Sequence, residues 1–255
     1  MKIRVCVPSY KRPSVKTLNY LPFARVYVCE TEAEKYRKAN PDSDIVTCAK
    51  GIQGNLCRIR NHILDSEFSD GVDVVCLMDD DYDGMYYYER EPDSLYGYDE
   101  HLIGADYFLW FIERYSILCS DFGFYMWGVN VNYDPMSYEH FRPFNTTAYI
   151  GGPFSCHLTG SMCRYDETLP LKEDYDMTLQ HLHKYRGALR VNKYHYRCKQ
   201  SKQAGGCASY RSMDKEKEQF KLLRQKWGAD VVRQDRTSKY RFDYNPIIKS
   251  PIKGV

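Results

Sequence analysis

The 255-residue sequence lacks the features that would assign it to a membrane or secreted class. No run approaches the roughly 20 apolar residues that a membrane-spanning helix needs. The N-terminal stretch MKIRVCVPSY leads directly into a predicted strand, without the apolar region and cleavage site of a secretory signal. We therefore expect a cytoplasmic protein with no membrane partner.

Paired cysteine motifs are also missing. The ten cysteines include no C-x-x-C pair and no spacing typical of a zinc site. They are scattered singly through apolar runs, as at Cys6, Cys29 and Cys76. This pattern favours small buried hydrophobic side chains in a reducing compartment over a disulfide framework.

Glycine-rich phosphate loops are the third absence. The sequence contains neither G-x-x-x-x-G-K-[ST] nor G-x-G-x-x-G, which excludes a Walker loop and a dinucleotide fingerprint. A nucleotide bound by this chain would therefore need other phosphate partners, such as a metal ion held by carboxylates.

The two parts of the chain differ sharply in charge, although the net charge is only +2. Residues 184–255 contain 19 Lys and Arg against 6 Asp and Glu, whereas residues 1–183 contain 17 against 28. The basic part is either an ordinary solvated surface or a surface that binds a polyanionic partner.

The first half of the sequence alternates predicted strands and helices. The strands are IRVCV (3–7), RVYVC (25–29), DIVTC (44–48) and VDVVCLM (72–78). The helices are TEAEKYRKA (31–39), which opens with a Thr31–Glu34 capping box, NLCRIRNHILDSEF (55–68) and GADYFLWFIERYSILC (104–119). This alternation predicts an α/β fold with a mostly parallel sheet and helices on both faces.

The second half is less regular. Extended segments are predicted within 122–132 and 147–160, and a further strand at 188–198. EDYDMTLQHLHKYRG predicts a helix with an acidic first turn and Gly187 as its stop. SMDKEKEQFKLLRQKWG (212–228) predicts a last amphipathic helix.

Three consecutive aspartates follow the buried run VVCLM, at the strand end where α/β proteins bind ligands. Asp79, Asp80 and Asp81 could form a turn in which DGM reverses the chain. Alternatively, because uncompensated buried charge is costly, they could hold Mn²⁺ or Mg²⁺, which prefer carboxylate oxygens.

Five stretches in this order carry a family resemblance. They are VPSYKRP (7–13), GIQGNLCRIRNHIL (51–64), CLMDDD (76–81), GGPFSCHLTG (151–160) and KEDYD (172–176). Over about residues 1–200 they resemble the landmarks of GT-A-fold glycosyltransferases, including the D-x-D motif. With KQSKQAGGC (199–207), the chain is similar to the TET-associated glycosyltransferases, found in phages and predicted to glycosylate hydroxymethylated bases in DNA.

The resemblance implies one GT-A-like, Rossmann-like domain over 1–255. Its parts would be a nucleotide-sugar-binding half (1–121), an acceptor and catalytic half (122–210), and a basic C-terminal helix and tail (211–255). The implied activity is metal-dependent, inverting transfer from a UDP-sugar to a hydroxyl of a modified DNA base such as 5-hydroxymethylcytosine, in the host cytoplasm if the chain is phage-encoded. The alternatives are a glycan or protein acceptor, a nucleotidyltransferase, and a non-catalytic nucleic-acid-binding module that retains the fold.

The resemblance also implies site residues. The donor would be bound by Pro8, Ser9, Tyr10, Arg12, Arg58, Arg60, Asn61, Asp79, Asp80, Gly205 and Gly206. The metal ligands would be Asp81 directly, Asp79 through water or the donor ribose, and His195.

The base that deprotonates the acceptor would come from KEDYD. Asp174 is preferred and Glu173 is the alternative, although an acidic first turn of a helix needs no active site. The basic C-terminal region would follow DNA phosphates, and tyrosines of MYYYEREPDSLYGY (85–98) or aromatics of FYMW (124–127) could stack on a base or simply pack.

Overall fold

The fold is built around one large sheet, in a computed structural model that describes residues 1–198, 206–235 and 244–250. The strands of this sheet are β1 (Ile3–Pro8), β2 (Arg25–Cys29), β3 (Asp44–Cys48), β4 (Val74–Met78), β5 (Tyr82–Arg90), β6 (Tyr98–Leu102), β7 (Met126–Asn130), β8 (Phe144–Asn145), β9 (Phe154–Leu158) and β10 (Leu189–Cys198). The helices are α1 (Ala33–Ala39), α2 (Leu56–Ser69), α3 (Ala105–Asp121), α4 (Glu173–Tyr185) and α5 (Met213–Trp227). A separate two-stranded sheet pairs β11 (Val232–Gln234) with β12 (Pro246–Ile248).

The large sheet has a parallel region extended by antiparallel pairs. Its strand order is β3-β2-β1-β4-β9-β7-β10-β5-β6, and β8 pairs with β10. Strands β3, β2, β1 and β4 are parallel to one another, β9 is antiparallel to β4, and β10 is parallel to β7. The predicted α/β fold class is confirmed, and the parallel pairing of β1 with β4 brings their carboxyl ends together.

Side-chain alternation along β4 explains why helices cover both faces of the sheet. Val74 and Cys76 pack on the side of α1 and α3, whereas Val75 and Leu77 pack on the side of α2 and α4. All four side chains are fully buried, as expected for a strand with period-two alternation between two covered faces. Burial of each of the Val and Leu side chains contributes roughly 1.5–3 kcal/mol relative to an exposed side chain.

The backbone of the loop after β4 is fixed in place by hydrogen bonds to other segments. The Asp79 amide donates to the carbonyl of Pro153 at 3.2 Å, and the Thr17 hydroxyl donates to the carbonyl of Asp79 at 2.6 Å. The amide of Lys16 donates to the carbonyl of Asp80 at 3.0 Å. The three aspartates therefore project from a well-supported loop at the carboxyl edge of the sheet.

Strands β5 and β6 were not predicted, because the DGM sequence favours a turn. The chain instead continues as β5, which is antiparallel to both β10 and β6. Gly84 has φ of +113°, and a Cβ there would lie 2.8 Å from the Tyr86 ring and 2.9 Å from Leu102 Cδ1. This glycine is required by close packing within the strand rather than by a chain reversal.

Two predicted helix ends differ from the structure. No side chain caps α1, and the Thr31 hydroxyl contacts Cys29 Sγ at 3.2 Å instead of forming a capping box. The left-handed residue after α4 is Arg186, with φ of +65°, rather than Gly187. Gly187 is needed for a close approach, since a Cβ there would lie 2.2 Å from the Phe124 ring.

Two sequence-wide features can be compared with the structure. Within the described ranges, every helix is too short or too polar to cross a membrane. Eight cysteines are buried free thiols and Cys198 is a partly buried one; the eight are Cys6, Cys29, Cys48, Cys57, Cys76, Cys119, Cys156 and Cys163.

Candidate active site

A cavity of about 740 Å³ opens at the carboxyl edge of the sheet. Its wall is built from the loops after β1 and β4, the first turn of α4 and the segment that leads into α5. Eleven of the residues predicted for the site line it: Pro8, Ser9, Tyr10, Arg12, Arg60, Asp79, Asp80, Asp81, Glu173, Asp174 and Gly206. Segments far apart in sequence thus form one chamber.

Three predicted residues do not line this cavity. Arg58 is two positions from Arg60 on α2 and therefore points to another face, where it contacts Glu167 at 2.8 Å and the carbonyl of Gly51 at 2.6 Å. Asn61 exchanges two hydrogen bonds of 2.8 Å with the backbone of Tyr165. Both side chains hold neighbouring loops in place, and their predicted contact with the donor is corrected accordingly.

His195 does not join the aspartates either. Its ring is buried, stacks between Tyr86 and Tyr88, and contacts Glu100 Oε1 at 2.7 Å. Its neighbour Tyr196 lines the cavity, and adjacent strand residues point to opposite faces of a sheet. The predicted role of His195 as a metal ligand is therefore corrected, whereas Gly205 lies outside the described residues.

Asp80 is the aspartate that holds the loop after β1. Its Oδ2 accepts a hydrogen bond from the Ser9 hydroxyl at 2.6 Å, and its Oδ1 lies 2.5 Å from Arg12 Nη1. Burial raises the pKa of Asp80, while Ser9 and Arg12 act in the opposite direction. Asp80 therefore supports the cavity wall formed by the loop after β1.

Arg60 links the two acidic walls of the cavity. Its guanidinium is almost fully buried and contacts Asp79 Oδ1 at 3.1 Å and Glu173 Oε1 at 3.2 Å. It also donates to the carbonyl of Gly152 at 2.9 Å. Burial opposes the charged form, but the surrounding anionic groups raise the pKa of Arg60 further above its ordinary value. A permanent cation therefore offsets part of the repulsion among the carboxylates.

The negative charge of Asp81 is less well compensated by an arginine than the charges of Asp79 and Asp80. Arg12 Nη1 lies 3.8 Å from its Oδ2, which is beyond hydrogen-bond distance. Burial, followed by the charges of Asp79 and Asp80, raises the pKa of Asp81 to about 6. A cation beside Asp81 would relieve both effects, because it favours the ionised carboxylate.

The carboxylates fit a divalent metal that also binds the substrate. Within the described part of the chain, no three His, Cys, Asp or Glu side chains form a group that could hold a metal alone. Mg²⁺ and similar ions commonly bind through one or two carboxylates, with phosphate oxygens and water completing the shell. Asp81 and Asp79 are the residues that could provide that smaller set of ligands.

Glu173 is buried at the start of α4. Burial, followed by the neighbouring Asp174, raises the pKa of Glu173 to about 8, although Arg60 opposes this rise. The side chain is therefore predominantly protonated at neutral pH, and it holds Arg60 as a neutral hydrogen-bonding group.

Asp174 is more exposed than Glu173 and accepts hydrogen bonds from three donors. The Tyr149 hydroxyl and the Gly152 amide donate to Oδ2, the latter at 3.2 Å, and the Tyr175 amide donates to Oδ1 at 2.8 Å. Burial raises the pKa of Tyr149 well above its ordinary value, so the phenol stays protonated and can donate. The carboxylate is thus held in one orientation and faces the cavity.

Sequence reasoning missed the aromatic part of the wall. Four tyrosines that were not predicted as site residues line the cavity: Tyr149, Tyr175, Tyr196 and Tyr210. The rings of Tyr149 and Tyr175 are stacked, with centroids 4.3 Å apart. The available signals were the position of Tyr149, two residues before GG, and that of Tyr175 within KEDYD. The tyrosines of 85–98 and the aromatics of 124–127 lie elsewhere in the fold.

Several solved structures resemble the chain at low identity. TarS 1–349 from S. aureus is 12% identical with a TM-score of 0.46; the match covers 89% of this chain and 65% of that one, less than two thirds of its length. A putative nucleotide-diphospho-sugar transferase from Desulfovibrio desulfuricans G20 is 15% identical with a TM-score of 0.39, covering 75% and 80%. A197 from STIV is 10% identical with a TM-score of 0.38, covering 77% and 84%.

Comparison by sequence gives a clearer result. No curated protein matches the chain. The family model described as TET-Associated Glycosyltransferase matches residues 16–206, which is more than half of the sequence and includes the aspartate cluster, Arg60 and the first turn of α4. The chain therefore belongs to the TET-associated glycosyltransferase family.

Proposed function

We propose that this glycosyltransferase moves a sugar from a UDP-sugar, with inversion at the anomeric carbon, to a hydroxyl on a modified DNA base such as 5-hydroxymethylcytosine. One observation carries the proposal: Asp79 and Asp81 face the same cavity as Asp174, and Arg60 joins the two acidic walls. A donor held at the aspartates would present its anomeric carbon between them and the base. Inversion requires this arrangement, because the acceptor attacks opposite the leaving group.

The donor side would be formed by the loops after β1 and β4. Asp81 and Asp79 would hold Mn²⁺ or Mg²⁺, which would supply Lewis-acid stabilisation of the departing diphosphate. Tyr10 and Pro8 line the wall beside these carboxylates and would contact the nucleoside. Ser9 and Arg12 would keep that wall in position through Asp80.

Asp174 would act as the general base. The oxygen of the acceptor hydroxyl forms the new bond to the anomeric carbon, the bond from that carbon to the diphosphate breaks, and the hydroxyl proton moves to Asp174. The hydrogen bonds from Tyr149 and Gly152 would hold the carboxylate toward the acceptor throughout. Glu173 is less suited to this role, because it is buried against Arg60 and its pKa is raised to about 8.

Two observations favour a nucleic-acid acceptor over a glycan or a protein. The cavity wall is rich in tyrosines, whose rings can stack on a base turned out of the duplex. The chain from residue 184 onward carries 19 Lys and Arg against 6 Asp and Glu, and cationic side chains bind DNA phosphates without regard to sequence.

Mass spectrometry tests this function directly. Hydroxymethylated and unmodified DNA of the same sequence would be incubated with Mn²⁺ and a panel of nucleotide sugars. A hexose or pentose mass added only to hydroxymethylated DNA supports the proposal, and its rate should fall steeply with salt because phosphate contacts are screened. Transfer to a glycan or peptide, with neither DNA modified, would refute the proposed acceptor.

A further inference from the structure

The helix α5 begins beyond residue 206, where the family match ends, yet its N-terminal part lines the catalytic cavity. Tyr210, Arg211, Ser212 and Glu216 all contribute to the wall. The active site is therefore completed by a segment that the family match does not include.

Glu216 forms a buried ion pair with Lys172. The two side chains are 13% and 2% exposed, and Lys172 Nζ lies 2.5 Å from Glu216 Oε2. The other oxygen, Oε1, is 3.0 Å from Arg211 Nε. A buried ammonium is costly without a partner, so the carboxylate of Glu216 fixes where the Lys172 charge lies.

The location of the Lys172 charge matters because this residue lies next to the proposed catalytic residues. Lys172 directly precedes Glu173 and Asp174, and all three line the same cavity as Glu216. If Glu216 were uncharged, the ammonium would be drawn to another carboxylate of the same cavity. Asp174, the proposed base, lines that cavity two residues further along the chain.

α5 is held firmly enough to keep Glu216 in place. The Gln219 side chain donates to the carbonyl of Thr168 at 2.8 Å, and the Trp227 indole donates to the buried carboxylate of Asp176 at 2.7 Å. Phe220 and Leu223 pack with side chains of α4 in one apolar cluster. The helix is thus attached to α4, whose first turn carries the catalytic pair.

We propose that Glu216 is a positioning residue that holds the Lys172 ammonium away from Glu173 and Asp174, which leaves the general base free to accept a proton. This inference rests on the proposed function, in which Asp174 is that base. It also assigns α5, outside the family match, a direct part in maintaining the catalytic site.

Three variants test the inference: the two single substitutions and the double substitution, compared by kcat. Glu216→Gln is expected to lower kcat by about tenfold or more, because the Lys172 ammonium would then bind the carboxylate of the base. KM for the sugar donor should change by less than about threefold, because the loops after β1 and β4 are not altered. Lys172→Met is expected to be mild, and Lys172→Met/Glu216→Gln is expected to recover most of the activity lost in Glu216→Gln. A merely structural pair would instead lower the stability of Glu216→Gln in urea unfolding, while kcat of the folded variant would stay at the wild-type value.

The control is Asp65→Asn, which removes one partner of an exposed ion pair of 2.8 Å with Arg164 outside the cavity. It is expected to retain wild-type kcat. Full activity of Glu216→Gln, or a folded double variant no better than Glu216→Gln, would overturn the inference. If Glu216→Gln cannot be purified, the double variant carries the test, since it is expected to fold and to transfer sugar.

A crystal structure of Glu216→Gln separates this inference from the proposed function. The inference predicts that Lys172 Nζ moves to within hydrogen-bond distance of Glu173 or Asp174, whether or not any sugar acceptor has been identified. An ammonium that stays beside position 216 would overturn it. Absence of sugar transfer by the wild-type enzyme to any tested acceptor would instead count against the proposed function.

Discussion

Arg60 shows how a single residue can hold an acidic site together. Asp79 and Glu173 are far apart in sequence, yet the planar guanidinium of Arg60 contacts both, as well as the carbonyl of Gly152. Three adjacent aspartates repel one another, and arginine side chains of the protein compensate part of this repulsion. Arg60 and Arg12 balance Asp79 and Asp80, and Asp81 remains the carboxylate with the greatest need for an external cation.

Substitution of Arg60 should therefore affect both stability and activity. Arg60→Met is expected to destabilise the fold by roughly 3–5 kcal/mol, because it leaves buried carboxyl groups without their cation. Transfer should fall at least tenfold alongside, as the two acidic walls lose their link. Arg58→Met on the exposed face of the same helix is the matched control. Urea unfolding of both variants measures the difference, and equal stability of the two would contradict the assignment.

The first two acidic residues of α4, Glu173 and Asp174, should respond differently to neutralisation. Asp174→Asn removes the proposed base and is expected to reduce kcat by about a hundredfold or more, while UDP binding followed by calorimetry stays near the wild-type value. Glu173→Gln should retain most activity at pH 7, because the glutamine imitates the protonated acid that a pKa of about 8 implies. An inactive Glu173→Gln beside an active Asp174→Asn would mean that the roles are exchanged.

Glu173 should also leave a signature in the pH dependence of stability. Its pKa is raised from 4.5 to about 8 by folding, so the contribution of the protonated group is fully present below about 4.5 and is lost as the pH rises through 8. The unfolding free energy of the wild type, minus that of Glu173→Gln, should therefore fall between pH 5 and 8, with a slope of at most about 1.4 kcal/mol per pH unit. A constant difference between pH 5 and 8 would contradict the raised pKa of Glu173.

At the scale of elements, the residue that follows α4 has a strained backbone conformation, which a substitution could relieve. Arg186 is exposed and has φ of +65°, a conformation that costs a residue with a Cβ roughly 1–2 kcal/mol. Arg186→Gly should therefore stabilise the protein, by up to about 1 kcal/mol in urea unfolding, since glycine also gains freedom in the unfolded chain. Gly187→Ala should destabilise it through the clash with Phe124. The opposite order of stabilities would show that the helix ends differently.

Elements with strong local patterns could be predicted from the sequence. The bounds of β2 and β3 match those predicted, and α5 lies within its predicted span with Gly228 at its end, because apolar runs and amphipathic spacing determine these segments locally. The hairpin of β5 and β6 could not be predicted in the same way. Asp-Gly favours a turn locally, and only pairing with the distant β10 makes this segment a strand.

At the scale of the whole molecule, the cavity depends on segments that no local pattern connects. The sequence predicted Asp79, Asp81, Asp174 and Arg60 as site residues through motif resemblance, and the structure places all four around one cavity. It could not identify Tyr149 or Glu216, because their roles arise from long-range packing. His195 was chosen by its order in the chain and Arg58 by its place in the stretch GIQGNLCRIRNHIL. Neither signal specifies which face of a strand or helix a side chain occupies.

The central claim is that the carboxyl edge beside Asp81 is where the nucleotide donor binds, with a divalent cation between carboxylate and diphosphate. A crystal structure of the protein soaked with Mn²⁺ and UDP tests it most directly. The account predicts manganese density in contact with Asp81 and a diphosphate between that ion and the wall formed by Arg12 and Tyr10. UDP bound away from this cavity, or nucleotide in the cavity with no metal beside Asp81 at saturating Mn²⁺, would contradict it.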